Sequence, residues 1–280
     1  MLSKEVLILK LKRRYLYTCA LLLSILLSRE GFANSIGGSA RIAGKGFAQV
    51  TGDLGLRANP ASFNYSKGSL VMSRSELFDI GVFYNYYEGT VRLSHRLRLG
   101  FCYESLIDKD LVDYSGFGQQ MYALGAAYKV NENLKLGANL TKDLYNLFED
   151  NVGEGFSCDL GILVGPYEFN SSNIELGFKI ENLLAHKDYK TGRVENIEPK
   201  VTFGSSIEIG RINCSIDVKS EELYFGAEYQ AISSLALRAG LANGQPTFGI
   251  GVLRGGLQID YAYWLSDVEA THRVGSSISF

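Results

Sequence analysis

The sequence predicts an all-β fold: a transmembrane antiparallel β-barrel of about fourteen strands, with a plug formed by an N-terminal segment. Three observations lead to this prediction. The chain begins like an exported protein, most of the remainder alternates apolar and polar residues, and the last strand-like segment ends in an aromatic residue. Alternation with a period of two gives each strand one oily face and one polar or small face.

Residues 1–33 have the layout of a cleaved secretory signal peptide. A basic stretch, Lys10 to Arg14, precedes an apolar run from Tyr15 to Leu27, and the small residues Gly31 and Ala33 follow. About 13 apolar residues are fewer than the roughly 20 that a spanning helix needs, which favours cleavage after Ala33 over a retained anchor. Together with the strand pattern, this signal predicts export to the outer membrane of a diderm (Gram-negative) bacterium.

Residues 34–66 are predicted to form a plug, or hatch, inside the barrel. A short helix is expected near Ser39 to Val50, and the turn-forming step Asn59-Pro60-Ala61 follows it. A barrel of about fourteen strands is too wide for wall side chains to fill, so an internal segment would be needed to close it. In the alternative interpretation, Asn59-Pro60 only begins the first strand.

Residues 67–280 are predicted to form the barrel wall. The stretch 69–105 supplies about three strands, and the total is about fourteen, with twelve as the lower bound. Long connections are expected at one end of the barrel and short turns at the other, as in outer-membrane barrels. The later strands are expected at 120–130, 134–143, 155–164, 173–182, 199–209, 211–219, 222–230, 234–242, 246–253, 255–264 and 271–280. The long connections are 106–119, 143–154, 183–198 and 265–270.

The non-apolar face of these strands favours an enclosed lumen over the surface of a soluble sandwich. It mixes charges of both signs with small residues, which make room for something packed inside but gain nothing on an open surface. The small residues include Gly177, Gly204, Gly226, Gly240, Gly249, Gly251 and Gly275. The charges, which are expected to pair across the lumen or with the plug, are Arg92, Arg98, Lys135, Lys179, Lys200, Asp217, Lys219, Glu228, Arg238 and Asp260. The tyrosines expected in aromatic girdles are Tyr84, Tyr86, Tyr128, Tyr229, Tyr261 and Tyr263.

The final ten residues, THRVGSSISF, have the form of a barrel assembly signal. Val274, Ile278 and the terminal Phe280 share one face, with polar residues between them. Barrels of the outer membrane present such a strand to their assembly machinery, so we expect that machinery as a partner.

Two parts of the sequence resemble one family of barrels. Between residues 37 and 63 a glycine- and alanine-rich pattern precedes an acidic residue and an Asn-Pro-Ala step, and the ending Thr-His-Arg is similar as well. The matching positions are Ala43, Gly44, Gly46, Ala48, Asp53, Asn59, Pro60 and Ala61. This combination resembles the FadL-type outer-membrane superfamily, more closely its PorV/PorQ-like branch. Lys45 stands where that group usually has Met, and Ser62 where it usually has Gly. The resemblance implies a hatch whose motif is Asp53, Asn59, Pro60 and Ala61.

The expected function is therefore the transport of small hydrophobic molecules, or a role as a secretion-associated outer-membrane component. The alternative is a non-transporting scaffold that holds a partner, such as a secreted protein, through its extracellular loops. The expected surroundings are outer-membrane lipid, and the expected state is a monomer.

Other classes of function find little support in the sequence. A net charge of -2 and a pI near 6.0 argue against nucleic acid binding. His272 and Ser276 share a strand face but are separated by roughly 13 Å, too far for a nucleophile and its base. The spacing of His, Cys and Asp residues matches no metal site or disulfide framework, so neither an enzyme nor a cofactor is expected.

Overall fold

The computed structural model describes residues 37–52, 54–63, 68–78, 81–108, 117–147, 150–266 and 269–280. The predicted signal peptide and Asp53 of the hatch motif lie outside these residues. One short helix, α1 (Ala40–Gly44), begins after Ser39, whose side-chain oxygen accepts a hydrogen bond from the Ile42 amide and so caps the helix. No helix in the described ranges is long and apolar enough to cross a membrane.

The rest of the described chain is almost entirely β-strand. The strands are β1 (Gly68–Leu77), β2 (Val82–Arg92), β3 (Leu97–Asp108), β4 (Phe117–Asn131), β5 (Leu134–Leu147), β6 (Asp150–Phe169), β7 (Ser172–Tyr189), β8 (Val194–Asn196), β9 (Lys200–Ile209), β10 (Ile212–Lys219), β11 (Glu222–Ile232), β12 (Leu235–Ala242), β13 (Gln245–Arg254), β14 (Leu257–Leu265) and β15 (Ala270–Ser279).

Fourteen of these strands form one closed antiparallel ring, which confirms the predicted fold and strand number. Consecutive strands pair with each other, β7 pairs with both β6 and β9, and the short β8 adds only to the edge of β7. The ring closes where β1 pairs with β15, in a register from Ser69 opposite Ser279 to Glu76 opposite His272. We call this β1–β15 pairing the seam. Because the ring is closed, no wall strand is left with an unpaired edge.

The outward faces of the strands are apolar. Leu124, Leu140 and Phe203 on three different strands expose 65%, 68% and 61% of their surfaces. Tyr128, Tyr229 and Tyr261 also point outward, as predicted for girdle residues. An apolar outer band on a closed barrel is the surface that meets lipid.

The predictions for Tyr84 and Tyr86 were wrong. Both side chains are buried and point into the lumen, where their hydroxyls donate to Glu104 and Glu88. Sequence alternation alone did not separate these inward tyrosines from lipid-facing ones, because β2 has aromatic residues on both faces.

Several predicted long connections are strands instead. β5 continues to Leu147 and β6 starts at Asp150, so most of the expected loop 143–154 is strand, and β7 continues to Tyr189. Beyond the apolar band the outward side chains turn polar: Lys142 on β5 pairs with Glu154 on β6 at 2.9 Å. The sequence prediction ended each strand where its oily face ended, but backbone pairing continues outside the lipid, where that face is not needed.

Candidate functional site

The N-terminal segment, residues 37–52 and 54–63, lies against the inward-facing residues of the wall. Helix α1 packs on β12, β13, β14 and β15. Further along the chain, Val50 contacts the glycines of β7 and β9, and Asn59-Pro60 contacts those of β5 and β6. Leu56 and Phe63 reach β4 and β3. The segment therefore follows the inner wall around much of its circumference.

Glycines on the inner wall make this close approach possible. Four pairs stand directly opposite each other on neighbouring strands: Gly100 with Gly125, Gly137 with Gly161, Gly177 with Gly204, and Gly226 with Gly240. A Cβ on any of these eight residues would meet an atom of the N-terminal segment within 3.0 Å. The inward glycines named from the sequence lie against the N-terminal segment, except Gly251, whose neighbours are wall side chains.

Gly137 and Gly226 show why no larger residue fits. A methyl group on Gly137 would overlap the backbone of Pro60 and Ala61, and one on Gly226 would overlap the carbonyl of Lys45. Backbone atoms cannot rotate away as the end of a flexible side chain can, so a substitution at either position has to displace the segment or the wall.

Asn59 is the centre of the Asn-Pro-Ala turn. Its side chain is fully buried, and its Nδ2 donates to the carbonyl of Val50 at 2.8 Å and lies 3.3 Å from the carbonyl of Ile162 on β6. Its Oδ1 accepts from the Ala61 amide at 3.0 Å. The Asn59 side chain thus connects the Asn-Pro-Ala turn to Val50 in the same segment and to strand β6 of the wall.

Wall carboxylates accept hydrogen bonds from backbone amides of the segment. Asp217 on β10 accepts from Gln49 and Val50 at 2.6 and 2.9 Å, and Glu175 on β7 accepts from Gly52 at 2.6 Å. Glu88 on β2 does the same for Leu56 at 2.8 Å. Hydrogen bonds with a charged acceptor are roughly twice as strong as neutral ones.

Arg57 is held by a buried ionic cluster. Its Nε donates to Glu104 at 2.8 Å, and its Nη1 lies 3.5 Å from Asp159. Lys179 donates to the carbonyl of Arg57 at 2.7 Å and also pairs with Glu181. All of these groups lie in the lumen, shielded from water, so removal of one partner would leave a buried charge uncompensated.

Helix α1 is fixed through a second ionic cluster. Arg41 donates to Glu228 at 2.8 Å, and the same carboxylate accepts from Arg238, which also donates to Asp260 at 2.7 Å. Several of the inward charges named from the sequence form ion pairs with other wall residues, among them Lys179, Lys219, Glu228, Arg238 and Asp260.

Lys45 is the one buried lysine of the segment. Its Nζ donates to Asn213 at 2.8 Å. Burial, and next the neighbouring charge of Arg41, lower the pKa of Lys45 to about 8. The protonated amine is therefore disfavoured in the docked segment relative to a released one.

We expect segment docking to strengthen as the pH rises from about 8 to the ordinary lysine value of about 10.4. The released segment binds more protons than the docked one in this window, which fixes the sign of the effect. Trypsin protection of the segment at Arg57, measured against pH, checks this expectation. In the Lys45→Met variant, trypsin protection at Arg57 should be the same at pH 8 and pH 10. A Lys45→Met variant that keeps the pH dependence of the original protein would contradict this expectation.

An apolar cluster fills the lumen between the segment and the end of the barrel where β1 ends and β2 begins. We call this end the long-loop end, because the predicted long connections lie there. Leu56 and Phe63 of the segment pack there with residues near the ends of the first strands, including Leu77 and Leu106. The only tryptophan of the sequence, Trp264, joins this cluster to Phe47, with ring centroids 5.4 Å apart. Hydrophobic side chains thus fill this part of the lumen.

A polar cavity of about 670 Å³ lies on the opposite side of the segment. Its lining includes Gly210 and Arg211 of a short turn, so it opens towards the short-turn end of the barrel. Arg41 and Lys45 of the segment, together with Glu175, also face it. The segment therefore has a polar vestibule on one side and the apolar cluster on the other.

The structure places the predicted site residues at two locations. Asn59, Pro60 and Ala61 form the buried turn against β5 and β6. Val274, Ile278 and Phe280 lie on the outer face near the seam, all well exposed, and the Phe280 backbone exchanges hydrogen bonds with Gly68 at 2.8 and 3.0 Å. Their role in assembly stays a prediction.

Sequence reasoning missed the wall residues that bind the segment. Glu88, Glu104, Asp159 and Glu175 were not singled out, and Tyr84 was assigned to the aromatic girdle. Arg41 and Arg57 of the segment were not singled out either. The available signal was a pair of arginines in a stretch predicted to be enclosed, since buried arginines require carboxylate partners. Within the described ranges, no three His, Cys, Asp or Glu side chains are grouped as a metal site would require.

The chain is similar in structure to several solved barrels. TodX, the P. putida toluene transporter, has a TM-score of 0.59 at 12% identity, covering 87% of this chain and 99% of that one. The CymD monoaromatic hydrocarbon channel has 0.55 at 13%, covering 88% and 98%. A Pseudomonas aeruginosa FadL homologue has 0.58 at 9%, covering 87% and 98%. No protein-family model and no curated protein matches the sequence. The chain thus shares the FadL-type barrel fold with these proteins.

Proposed function

We propose that this protein is an outer-membrane channel for small hydrophobic molecules, closed by its N-terminal segment. The observation that supports it most is the arrangement of the lumen: an apolar cluster towards the long-loop end, the segment across the middle, and a polar vestibule beyond. The fold is shared with channels described as carrying toluene and monoaromatic hydrocarbons. A hydrophobic molecule would partition into the apolar cluster more readily than any ion or sugar.

Passage through this lumen requires the segment or its neighbours to move. The cluster at the long-loop end is filled by side chains, and a small cavity beside Asn182 is lined mostly by polar groups, among them Arg57, Asp159 and Glu181. The proposal is therefore a gated channel, in which binding of the hydrophobic molecule favours a state with the segment displaced.

A disulfide that locks the segment to the wall tests this proposal. The Cβ of Ala40 lies 3.2 Å from the position that a Cβ on Gly275 would take, close to the spacing of bridged cysteines. Cells that express the protein should take up radiolabelled toluene or fatty acid faster than empty cells. The oxidised Ala40→Cys/Gly275→Cys variant should fall to the rate of empty cells, and a reductant should restore uptake.

The single-cysteine variants are the matched controls and should transport like the original protein. If expressing and empty cells take up the label equally, the transport proposal is wrong. If the oxidised double variant still transports, the segment is not the gate.

The second candidate is a non-transporting scaffold of the secretion-associated, PorV-like kind. The observation that favours it is the polar character of the inner wall, which carries many buried arginines, lysines and carboxylates. Under this proposal β6 and β7, which extend past the apolar band, present the long-loop end to a partner protein. Two results together would support this second candidate. Uptake would be the same in expressing and empty cells, and a surface or secreted protein would be recovered in equal amount with the purified barrel.

A further inference from the structure

The start of the N-terminal segment binds both sides of the barrel seam. The amide of Gly38 donates to the hydroxyl of Tyr84 at 2.8 Å, and the carbonyl of Gly38 accepts from Nη1 of Arg273 at 2.7 Å. Tyr84 belongs to β2 and Arg273 to β15, and β1 lies between these two strands. A single residue of the segment therefore bridges the place where the ring closes.

Arg273 is enclosed by aromatic rings where it makes this contact. Its side chain is fully buried, and its guanidinium lies 4.7 Å from the ring centre of Tyr84 and 5.7 Å from that of Phe47. A planar guanidinium can stack on an aromatic ring and donate a hydrogen bond in its plane at the same time, which a lysine ammonium cannot.

Tyr84 connects this contact to the later part of the segment. Its hydroxyl accepts from Gly38 and donates to Glu104 at 2.9 Å, and Glu104 in turn pairs with Arg57. The beginning and the end of the segment are thus joined through one tyrosine–glutamate pair on β2 and β3.

Two more contacts tie the same strand to its surroundings. Thr271 on β15 accepts a hydrogen bond at 3.3 Å from the amide of Phe78, the residue that follows β1. Ala40 of the segment packs on Gly275. The inward members of the Thr-His-Arg ending, Thr271 and Arg273, therefore both make contacts at the seam, while His272 lies outside against Tyr261.

We propose that Arg273 and Tyr84 are positioning residues that together form the seat for Gly38. The seat is complete only when β15 has paired with β1, so the segment docks after the barrel has closed. Once docked, it holds the seam by bonds that run across β1. This inference concerns assembly and holds whether or not the protein transports anything.

Trypsin sensitivity of the segment in the folded barrel tests the seat. Cleavage after Arg41 and Lys45, followed by mass spectrometry, reports release of the segment, and heat-modifiable migration on a gel reports a closed barrel. In Arg273→Gln we expect cleavage to speed up by about tenfold to a hundredfold, the range expected for the loss of one charge-assisted hydrogen bond, while the barrel stays closed. Arg273→Lys should show part of this increase, because it keeps the charge but loses the stacking.

The control is Arg254→Gln, at the exposed end of β13, which should behave like the original protein. A closed Arg273→Gln barrel whose segment is as protected as the original would overturn the proposal. If the Arg273→Gln barrel fails to close, the Tyr84→Phe variant is measured instead, because this change removes only a hydroxyl group. A closed Tyr84→Phe barrel with full protection would also overturn it.

The order of events gives an independent test. During refolding of the original protein, protection at Arg41 should appear together with or after the heat-modifiable form. Protection that appears before barrel closure would contradict a seat shared between β2 and β15.

Discussion

The Asn59→Asp variant is expected to release its N-terminal segment while its barrel remains closed. The Nδ2 of Asn59 faces the carbonyl oxygens of Val50, Ile162 and Phe178 at 2.8, 3.3 and 3.5 Å. Aspartate would place an oxygen there instead, so the hydrogen bonds are lost and a buried negative charge meets three acceptors. An uncompensated charge of this kind costs about 3 to 5 kcal/mol, which is enough to empty the docked state.

Fluorescence of Trp264 measures this release, because it is the only tryptophan of the sequence and its ring packs on Phe47 of the segment. We expect a shift of its emission and loss of trypsin protection at Arg57. The matched control is Asn243→Asp in an exposed turn, which should leave both signals unchanged. An Asn59→Asp protein with the original spectrum and full protection would show that the turn does not hold the segment.

The second large effect is expected when the inner-wall glycine at 137 gains a side chain. Gly137→Ala places a methyl group onto the backbone of Pro60, and overpacking of this kind costs about 1 to 3 kcal/mol. Gly137→Leu adds more volume at the same point, so its segment should be displaced more completely. The outer surface of the barrel is untouched by either change.

Hydrogen exchange of the amides of residues 55–62 gives the measurement. The order of increasing exchange should be the original protein, Gly137→Ala and Gly137→Leu. Gly118→Ala is the control, because a methyl group there would meet nothing closer than 3.9 Å. Equal exchange in all four proteins would mean that the segment does not rest on this part of the wall.

The fold was largely predictable because the membrane imposes a simple rule on each strand. A residue on β4 or β12 faces either lipid or lumen, so alternation identified the strands and their number. The rule fails outside the lipid, where β6 and β7 continue with polar outward residues such as Glu154. It also fails on β2, where Tyr84 and Tyr86 are aromatic but serve as hydrogen-bond partners in the lumen.

The site was only partly predictable, for a different reason. Glycines such as Gly177 and Gly226 indicated that something packs inside, and Asn59-Pro60 indicated a turn. The partners of Arg57 and Gly38, however, come from strands far apart in sequence, and their proximity depends on the registers of the whole ring. Register across several strands is set by turns and bulges together, which no local pattern specifies.

The central claim is that the N-terminal segment closes a lipid-embedded barrel, and conductance across a planar bilayer tests it most directly. The original protein should show no steady ion current. A variant lacking residues 37–63, verified as a closed barrel by heat-modifiable migration, should form a stable water-filled pore. Equal conductance of the two proteins, whether both are open or both are closed, would contradict the claim.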